Sequence, residues 1–170
     1  MIRSLRIALA IAIASLCVAC ATHSVHSATD APAAQTLTLI GFDGRPPIHL
    51  DALPGPRQTV TATMHGETHA FEGVPLAQVL EVAGAPLGTD LRGDALRVVV
   101  LITARDGYQV VLSLAEIDPG ISGRTILIAD EKDAGPLAED EGPYRLVVEG
   151  DVRTTRSARM VERIELRMVD

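Results

Sequence analysis

The sequence predicts one α+β domain with mixed or antiparallel β-sheets and one or two short helices. Three observations support this fold class. About eight short segments have the pattern of strands, either alternating or, at residues 95–103, continuously apolar. One segment carries a clear helical stripe, and no strand–helix–strand rhythm indicates a doubly wound sheet. The strand-like segments begin near residue 37, so we expect a single domain over residues 37–170.

The first half of this domain is predicted to contain four strands and the one clear helix. Period-two alternation places the strands at residues 36–42, 48–50, 58–65 and 68–71. The helix follows Gly73-Val74, has Pro75 in its first turn and ends at Gly84. Its apolar stripe of period 3.6 consists of Leu76, Val79, Leu80 and Ala83.

The second half repeats the strand pattern around one short helical turn. The turn is expected at residues 113–116, and an acidic loop joins the last two internal strands. That loop lacks the ligand periodicity of a calcium site, so we interpret it as a solvated hairpin tip. The strands are predicted at residues 95–103, 108–112, 125–129 and 144–148, and through the alternating Ile164, Leu166 and Met168.

The first 21 residues have the anatomy of an export leader. Arg3 and Arg6 precede an apolar run that is too short to span a bilayer, and small residues follow it. Residues 22–36 are rich in Ala, Ser, Thr and His, which is typical of a flexible tether. The sequence therefore predicts a periplasmic or outer-envelope protein.

The two cysteines of the chain, Cys17 and Cys20, both lie in this leader. Ala19-Cys20 loosely resembles a bacterial lipobox, in which Cys20 would be lipidated and would tether the protein to a membrane. Cleavage after Ala21, at an Ala-x-Ala-like site, is the competing interpretation, and the sequence leaves both open. In either case residues 21–170 contain no thiolate for a metal, a disulfide or a nucleophile.

The charge of the chain argues against nucleic acid as a partner. The formal net charge is −7, and it becomes −9 when the two leader arginines are removed. No basic stripe interrupts this acidic balance.

Two groups of residues could carry chemistry. His65 and His69 lie four residues apart near Glu67 and could contribute to a metal site. We favour the interpretation that both histidines lie on the solvent face of a hairpin, opposite Val60, Ala62 and Met64, because no third ligand has diagnostic spacing.

The second group is a local basic cluster in an otherwise acidic chain. Arg153, Arg156 and Arg159 are spaced by three residues and lie beside threonine hydroxyls and loop backbone N–H groups. Guanidinium groups in such a setting suit a phosphate or carboxylate, so we predict a hypothetical anion or pterin-phosphate site here. Solvated surface arginines are the alternative.

Three longer segments of the chain carry a further pattern. The first segment ends with Phe71-Glu72-Gly73-Val74-Pro75-Leu76. The second consists of Asp106-Gly107-Tyr108 and residues 112–116, and the third begins at Gly135-Pro136-Leu137 and continues through residues 141–150 to 163–165. In this order they resemble the molybdopterin-binding domain of the sulfite-oxidase family, particularly its small exported members. The resemblance covers most of residues 37–167 and implies the sulfite-oxidase (molybdopterin-binding) fold, with mixed β-sheets and one or two short helices.

The departures from the family pattern bear on function. Catalytic members hold molybdenum through a cysteine thiolate upstream of the Gly-Val-Pro-Leu helix, whereas residues 59–64 contain no cysteine here. Thr61 or Thr63 would supply a harder, weaker donor. The family's Gly-Ala-Lys/Arg element, which holds the phosphate end of the pterin, aligns with Thr154-Thr155-Arg156, and the branched threonines narrow the approach to the backbone.

We therefore expect a non-catalytic binding module with a degenerate active site, for a protein partner or a small anion, and we expect no cofactor. The alternative is a molybdopterin-dependent oxidoreductase with a non-thiolate ligand, or one completed by a partner chain. A third hypothesis is a lipid-anchored structural protein whose cofactor pocket has collapsed.

Overall fold

A computed structural model describes residues 36–42 and 44–170 of the chain. The predicted leader, the tether up to residue 35 and the Cys20 lipidation site lie outside the described residues. Within the described part, ten strands form two five-stranded sheets. The strands are β1 (Leu37–Ile40), β2 (Ile48–Leu50), β3 (Gln58–Met64), β4 (Glu67–Pro75), β5 (Val98–Ala104), β6 (Gln109–Ser113), β7 (Ile126–Lys132), β8 (Gly135–Pro136), β9 (Arg145–Val148) and β10 (Val161–Met168).

Three short α-helices and three 3-10 helices connect these strands, and the domain is α+β as predicted. Ser113 caps the second helix by accepting a hydrogen bond from the Glu116 N–H at 3.1 Å, and Asp118 caps the third. None of the helices in the described residues has the length and hydropathy that a membrane span requires. The α-helices are α1 (Leu76–Val82), α2 (Leu114–Ile117) and α3 (Pro119–Ser122), and the 3-10 helices are Gly88–Asp90, Gly93–Arg97 and Thr154–Arg156.

The first sheet has the strand order β2-β1-β10-β5-β6. β1 and β10 run parallel, with Leu39 opposite Ile164, and the other neighbouring strands are antiparallel. One face of the sheet is apolar and packs into the core. The other face carries Glu165 between Arg163 and Arg167, at 2.7 and 2.5 Å from their guanidinium nitrogens.

The second sheet has the order β3-β4-β7, and β8 and β9 both pair with the far side of β7. This sheet is buried on both faces where β7 and β9 meet. Ile126 and Ile128 pack into the main core, whereas Leu127 and Ala129 pack into a second, smaller cluster. Burial on both sides explains why apolar residues follow one another here without the usual alternation.

The core has two parts that share the second sheet. The main cluster packs both sheets against α1 and α2 and contains the buried stripe of α1, namely Leu76, Val79 and Leu80. The second cluster lies on the opposite face of the second sheet. Its buried members are Val60, Met64, Phe71, Leu127, Ala129 and Val147.

The structure corrects two predicted boundaries. Residues 73–75 belong to β4, because they pair with Ala129, Ile128 and Leu127 of β7, and α1 begins only at Leu76. The strand predicted at residue 95 begins at Val98, since Gly93–Arg97 form a 3-10 helix. α3 and the two-residue β8 were not predicted.

Candidate functional site

The predicted arginine cluster lies on and beside the 3-10 helix Thr154–Arg156. Arg156 is held by two carboxylates: its Nε donates to Asp151 at 2.9 Å, and its Nη1 donates to Glu116 of α2. The hydrogen bonds that Arg156 donates to Asp151, together with the one that it donates to Glu116, raise the pKa of Arg156 above its usual value. A phosphate approaching this guanidinium would meet the two carboxylates that already bind it, those of Asp151 and Glu116.

Arg159 and Arg153 have different surroundings. Arg159 lies 3.3 Å from the exposed Asp140 and also lines a small pocket of about 180 Å³. Arg153 is exposed. The pocket is closed on one side by Tyr108, whose hydroxyl donates to the Thr155 carbonyl at 2.6 Å. Arg159 therefore lines the pocket, whereas the Arg156 guanidinium is bound by two carboxylates. The anion site stays a prediction.

A buried cation that the sequence interpretation missed lies next to this loop. Arg145 is 4% exposed, and its Nε donates to the Ser157 hydroxyl at 2.9 Å. Its guanidinium also lies 5.6 Å from the centre of the Phe71 ring. Burial lowers the pKa of Arg145, and the charge of Glu141, 2.6 Å away, counteracts that effect.

Glu141 is the anion shared by two cations in this cluster. It accepts hydrogen bonds from Lys132 and Arg145, both at 2.6 Å. Burial alone would raise the pKa of Glu141, but the hydrogen bond from Lys132 and the charges of Arg145 and Lys132 outweigh burial and hold it below its usual value. The three residues form a partly buried network in which one carboxylate is shared by two cations.

The histidines do not share the hairpin face that we predicted for both of them. His69 pairs with Ala62 across the hairpin, so its side chain lies on the same face as Ala62, against the edge of Phe71. Its Nδ1 lies 2.7 Å from Asp133, and the hydrogen bond with His69 lowers the pKa of that carboxyl. His65 is exposed in the turn at φ 55°. Within residues 36–42 and 44–170, no three His, Cys, Asp or Glu side chains converge as metal ligands do.

β3 is the strand on which the family resemblance would place the metal-binding thiolate. Thr59, Thr61 and Thr63 are exposed along one face, and the Thr63 and Thr68 hydroxyls lie 3.0 Å apart. On the other face, Met64 is 5% exposed and packs into the second cluster. This strand offers hydroxyl groups and one buried, neutral thioether.

A second candidate site, which the sequence interpretation missed, is a cleft of about 310 Å³ beside α1. Its floor is apolar, with Leu87, Ile117 and Ile126 in contact with the main core. Its walls come from α1, from the segment 117–119 and from the start of β7, with Gln58 of β3 at one end. Volumes of this size suit a small molecule.

Asp118 fixes the geometry of this cleft. Its carboxylate is buried and accepts two backbone hydrogen bonds, from Gly88 at 2.6 Å and from Gly120 at 2.7 Å. The two contacts join the 87–88 segment to α3 across the cleft. We therefore regard Asp118 as a residue that positions the walls, since each of its two carboxylate oxygens accepts a backbone hydrogen bond.

Two unpaired charges lie at the mouth of the cleft. Glu81 stands on the exposed side of α1, and Arg124 precedes β7. Neither side chain has an ion pair within the described part of the chain. Gln78 lies one turn before Glu81 and separates the cleft from the turn at Gly55.

Comparison of the sequence with family models and with curated proteins yields no match. The interpretation of the site therefore depends on its own geometry. No local motif could have revealed the cleft, since its residues come from segments that are far apart in the chain. The Asp118-Pro119-Gly120 helix start was the one sequence signal at its edge.

Proposed function

We propose that residues 37–170 form a non-catalytic binding module with the sulfite-oxidase type of molybdopterin-binding fold, and that the cleft beside α1 is its binding site. The module is exported to the periplasm or outer envelope. Support for the fold comes from the mixed sheets and from the Gly73-Val74-Pro75-Leu76 motif at the junction of β4 and α1. Both features agree with the resemblance stated above.

The observation that carries this proposal is the set of donors on β3. A molybdenum–dithiolene centre of this family needs a soft, strongly donating thiolate, and β3 supplies Thr61 and Thr63 hydroxyls at its exposed face. The Met64 thioether is uncharged and packed into the second cluster. These residues therefore do not fit a molybdenum–dithiolene centre.

The arginine loop gives further support. The pterin phosphate would need a free cation at Thr154-Thr155-Arg156, yet Arg156 already has Asp151 and Glu116 as partners. The cleft, by contrast, has an apolar floor and two charges that form no ion pair with any other described residue. Binding without turnover is the activity that these two surfaces favour.

Metal and pterin analysis tests the proposal. The full chain is produced in a host that makes molybdenum cofactor, and the purified protein is assayed for molybdenum and for released pterin. We expect a molybdenum content far below equimolar. An equimolar content would overturn the proposal in favour of a molybdopterin-dependent oxidoreductase with a non-thiolate ligand.

Two further samples sharpen this test. If oxygen donors held the metal, a variant with Thr61→Ala and Thr63→Ala would lose it, whereas exposed Thr59→Ala would serve as the matched control on the same strand. Molybdenum that appeared only in a complex with a copurified protein would equally overturn the proposal, because it would indicate an oxidoreductase completed by a partner.

A further inference from the structure

We propose that the cleft beside α1 binds an aliphatic, zwitterionic ligand of amino-acid size, of which L-leucine is the simplest example. This inference rests on the proposed function, since it names the ligand class of the binding module. Its carboxylate is held by Arg124 and its ammonium, on the same carbon, by Glu81, while its apolar side chain lies on the floor of the cleft.

The size and floor of the cleft limit the ligand. About 310 Å³ accommodates a molecule of a few to a dozen heavy atoms and excludes a folded partner segment. Leu87, Ile117 and Ile126 line the bottom, and Ile117 and Ile126 are each 2% exposed. A branched aliphatic group removed from water on this floor gains the hydrophobic contribution to binding.

The charges at the mouth determine which polar groups the ligand carries. Among the described residues, no carboxylate pairs with the Arg124 guanidinium, which suits a ligand carboxylate in bidentate geometry. Glu81 lies on a different wall, and no cation of residues 36–42 or 44–170 pairs with its carboxylate, which suits an ammonium. An anion without an ammonium would meet Glu81, and a cation without a carboxylate would meet Arg124, so a zwitterion fits best.

Contacts within the protein fix the remaining walls of the cleft. A Cβ on Gly55 would lie 2.5 Å from the Gln78 Oε1, so this amide packs directly on the Gly55 turn and closes one side. The Asp118 carboxylate ties the opposite walls together through Gly88 and Gly120. A site whose walls are fixed in advance loses less free energy on binding.

Calorimetric titration of the full chain tests the inference with three probes that share one branched aliphatic chain. L-leucine carries both charges, 4-methylpentanoate lacks the ammonium, and 3-methylbutylamine lacks the carboxylate. We expect saturable binding of L-leucine and roughly tenfold or greater weakening for each of the other two, because each loses a charge-assisted hydrogen bond.

Variants assign the binding to the cleft. Arg124→Gln and Glu81→Gln are each expected to weaken L-leucine about tenfold or more. Exposed Arg92→Gln and Glu139→Gln, which change charge equally outside the cleft, serve as controls and leave the affinity unchanged. Thermal unfolding curves matching the parent chain establish that each variant is folded.

The possible results separate this inference from the proposed function. No saturable L-leucine binding, equal affinity for 4-methylpentanoate, or full affinity in both cleft variants would each overturn the zwitterion site. The molybdenum content of the same preparation tests the proposed function independently of the ligand. Low molybdenum with no L-leucine binding would refute the ligand class alone, whereas equimolar molybdenum would refute the proposed function.

Discussion

Arg145 brings a positive charge into the smaller of the two apolar clusters, and one carboxylate keeps it there. Its side chain is 5% exposed and that of Glu141 is 15% exposed, so water screens this pair only weakly. The desolvation cost of such a pair is offset only while both partners are charged. The stability of this region therefore depends on the ionisation of Glu141.

Replacing Glu141 with Gln tests this dependence. We expect the variant to lose about 2–4 kcal/mol of unfolding free energy at neutral pH, because Arg145 is left buried without a counter-charge. Urea denaturation of the variant and of the exposed Glu139→Gln control gives the difference. A loss equal to that of the control would contradict the buried-pair interpretation.

The same pair predicts a pH dependence. The pKa of Glu141 in the folded protein lies below its ordinary value of 4.5, so the unfolded chain takes up this proton at a higher pH than the folded one does. The contribution of Glu141 is therefore complete above pH 4.5 and is lost as the pH falls through the folded pKa. In urea titrations repeated toward acid, the parent chain should approach the Glu141→Gln variant in stability.

Arg156 and Arg159 differ in their partners, and this difference separates their roles in the predicted anion site. We expect weak phosphate binding at low ionic strength to fall in Arg159→Ala and to stay unchanged in Arg156→Ala, because Asp151 and Glu116 already occupy Arg156. Equilibrium dialysis with labelled phosphate measures this, and exposed Arg92→Ala is the control. Absence of phosphate binding by the parent chain would remove the anion site altogether.

At the scale of elements, β4 joins the two parts of the core. Phe71 belongs to the second cluster and Val74 to the main cluster, and the register with β7 shifts between them at Glu72 and Gly73. Gly73 lies where the two backbones approach most closely. A Cβ there would stand 2.5 Å from the Ala129 Cα and closer still to the Ile128 carbonyl oxygen.

Gly73→Ala is therefore expected to be severe. Backbone atoms cannot move aside as a flexible side chain would, so β4 must separate from β7, at a cost of about 3 kcal/mol or more. Gly135→Ala is the control, because a Cβ there meets its nearest atom at 3.9 Å. Thermal unfolding of both variants checks this prediction. Equal melting temperatures would show that β4 can separate from β7 at little cost in free energy.

An element could be predicted from the sequence where its own residues carry the pattern that determines it. β3 and β6 expose one face, so their alternation was readable, and the helical turn predicted at residues 113–116 corresponds to α2. α1 was predicted to begin too early because Pro75 is a good first-turn residue, yet pairing with β7 keeps it in a strand. Tertiary pairing outweighed the local preference.

The candidate site was less predictable than the fold. The cleft combines Gln58, α1, the 87–88 segment and residues 117–126, and only the packing of both sheets brings them together. The face of the hairpin on which His69 lies was equally hard to predict, because it depends on the register that pairs His69 with Ala62. Local patterns contain no information about such distant contacts.

For the whole molecule, the predicted lipidation of Cys20 would attach the chain to a membrane. If Cys20 is the lipidated residue, fatty-acid labelling of cells that express the full chain is expected to give a labelled protein. Cys20→Ser would abolish the label, and Cys17→Ser is the matched control that retains it. A labelled Cys20→Ser protein would exclude this tether, and an unlabelled parent chain would favour cleavage after Ala21.

The position of β10 has a consequence for the order in which the domain forms. β10 is translated after every other described strand, yet it lies in the middle of its sheet and separates β2-β1 from β5-β6. Until residues 161–168 have left the ribosome, the two halves of that sheet have no common neighbour, and the main core stays open. The first sheet therefore cannot be completed stepwise from its N-terminal strands, and its apolar face stays uncovered until residues 161–168 are available.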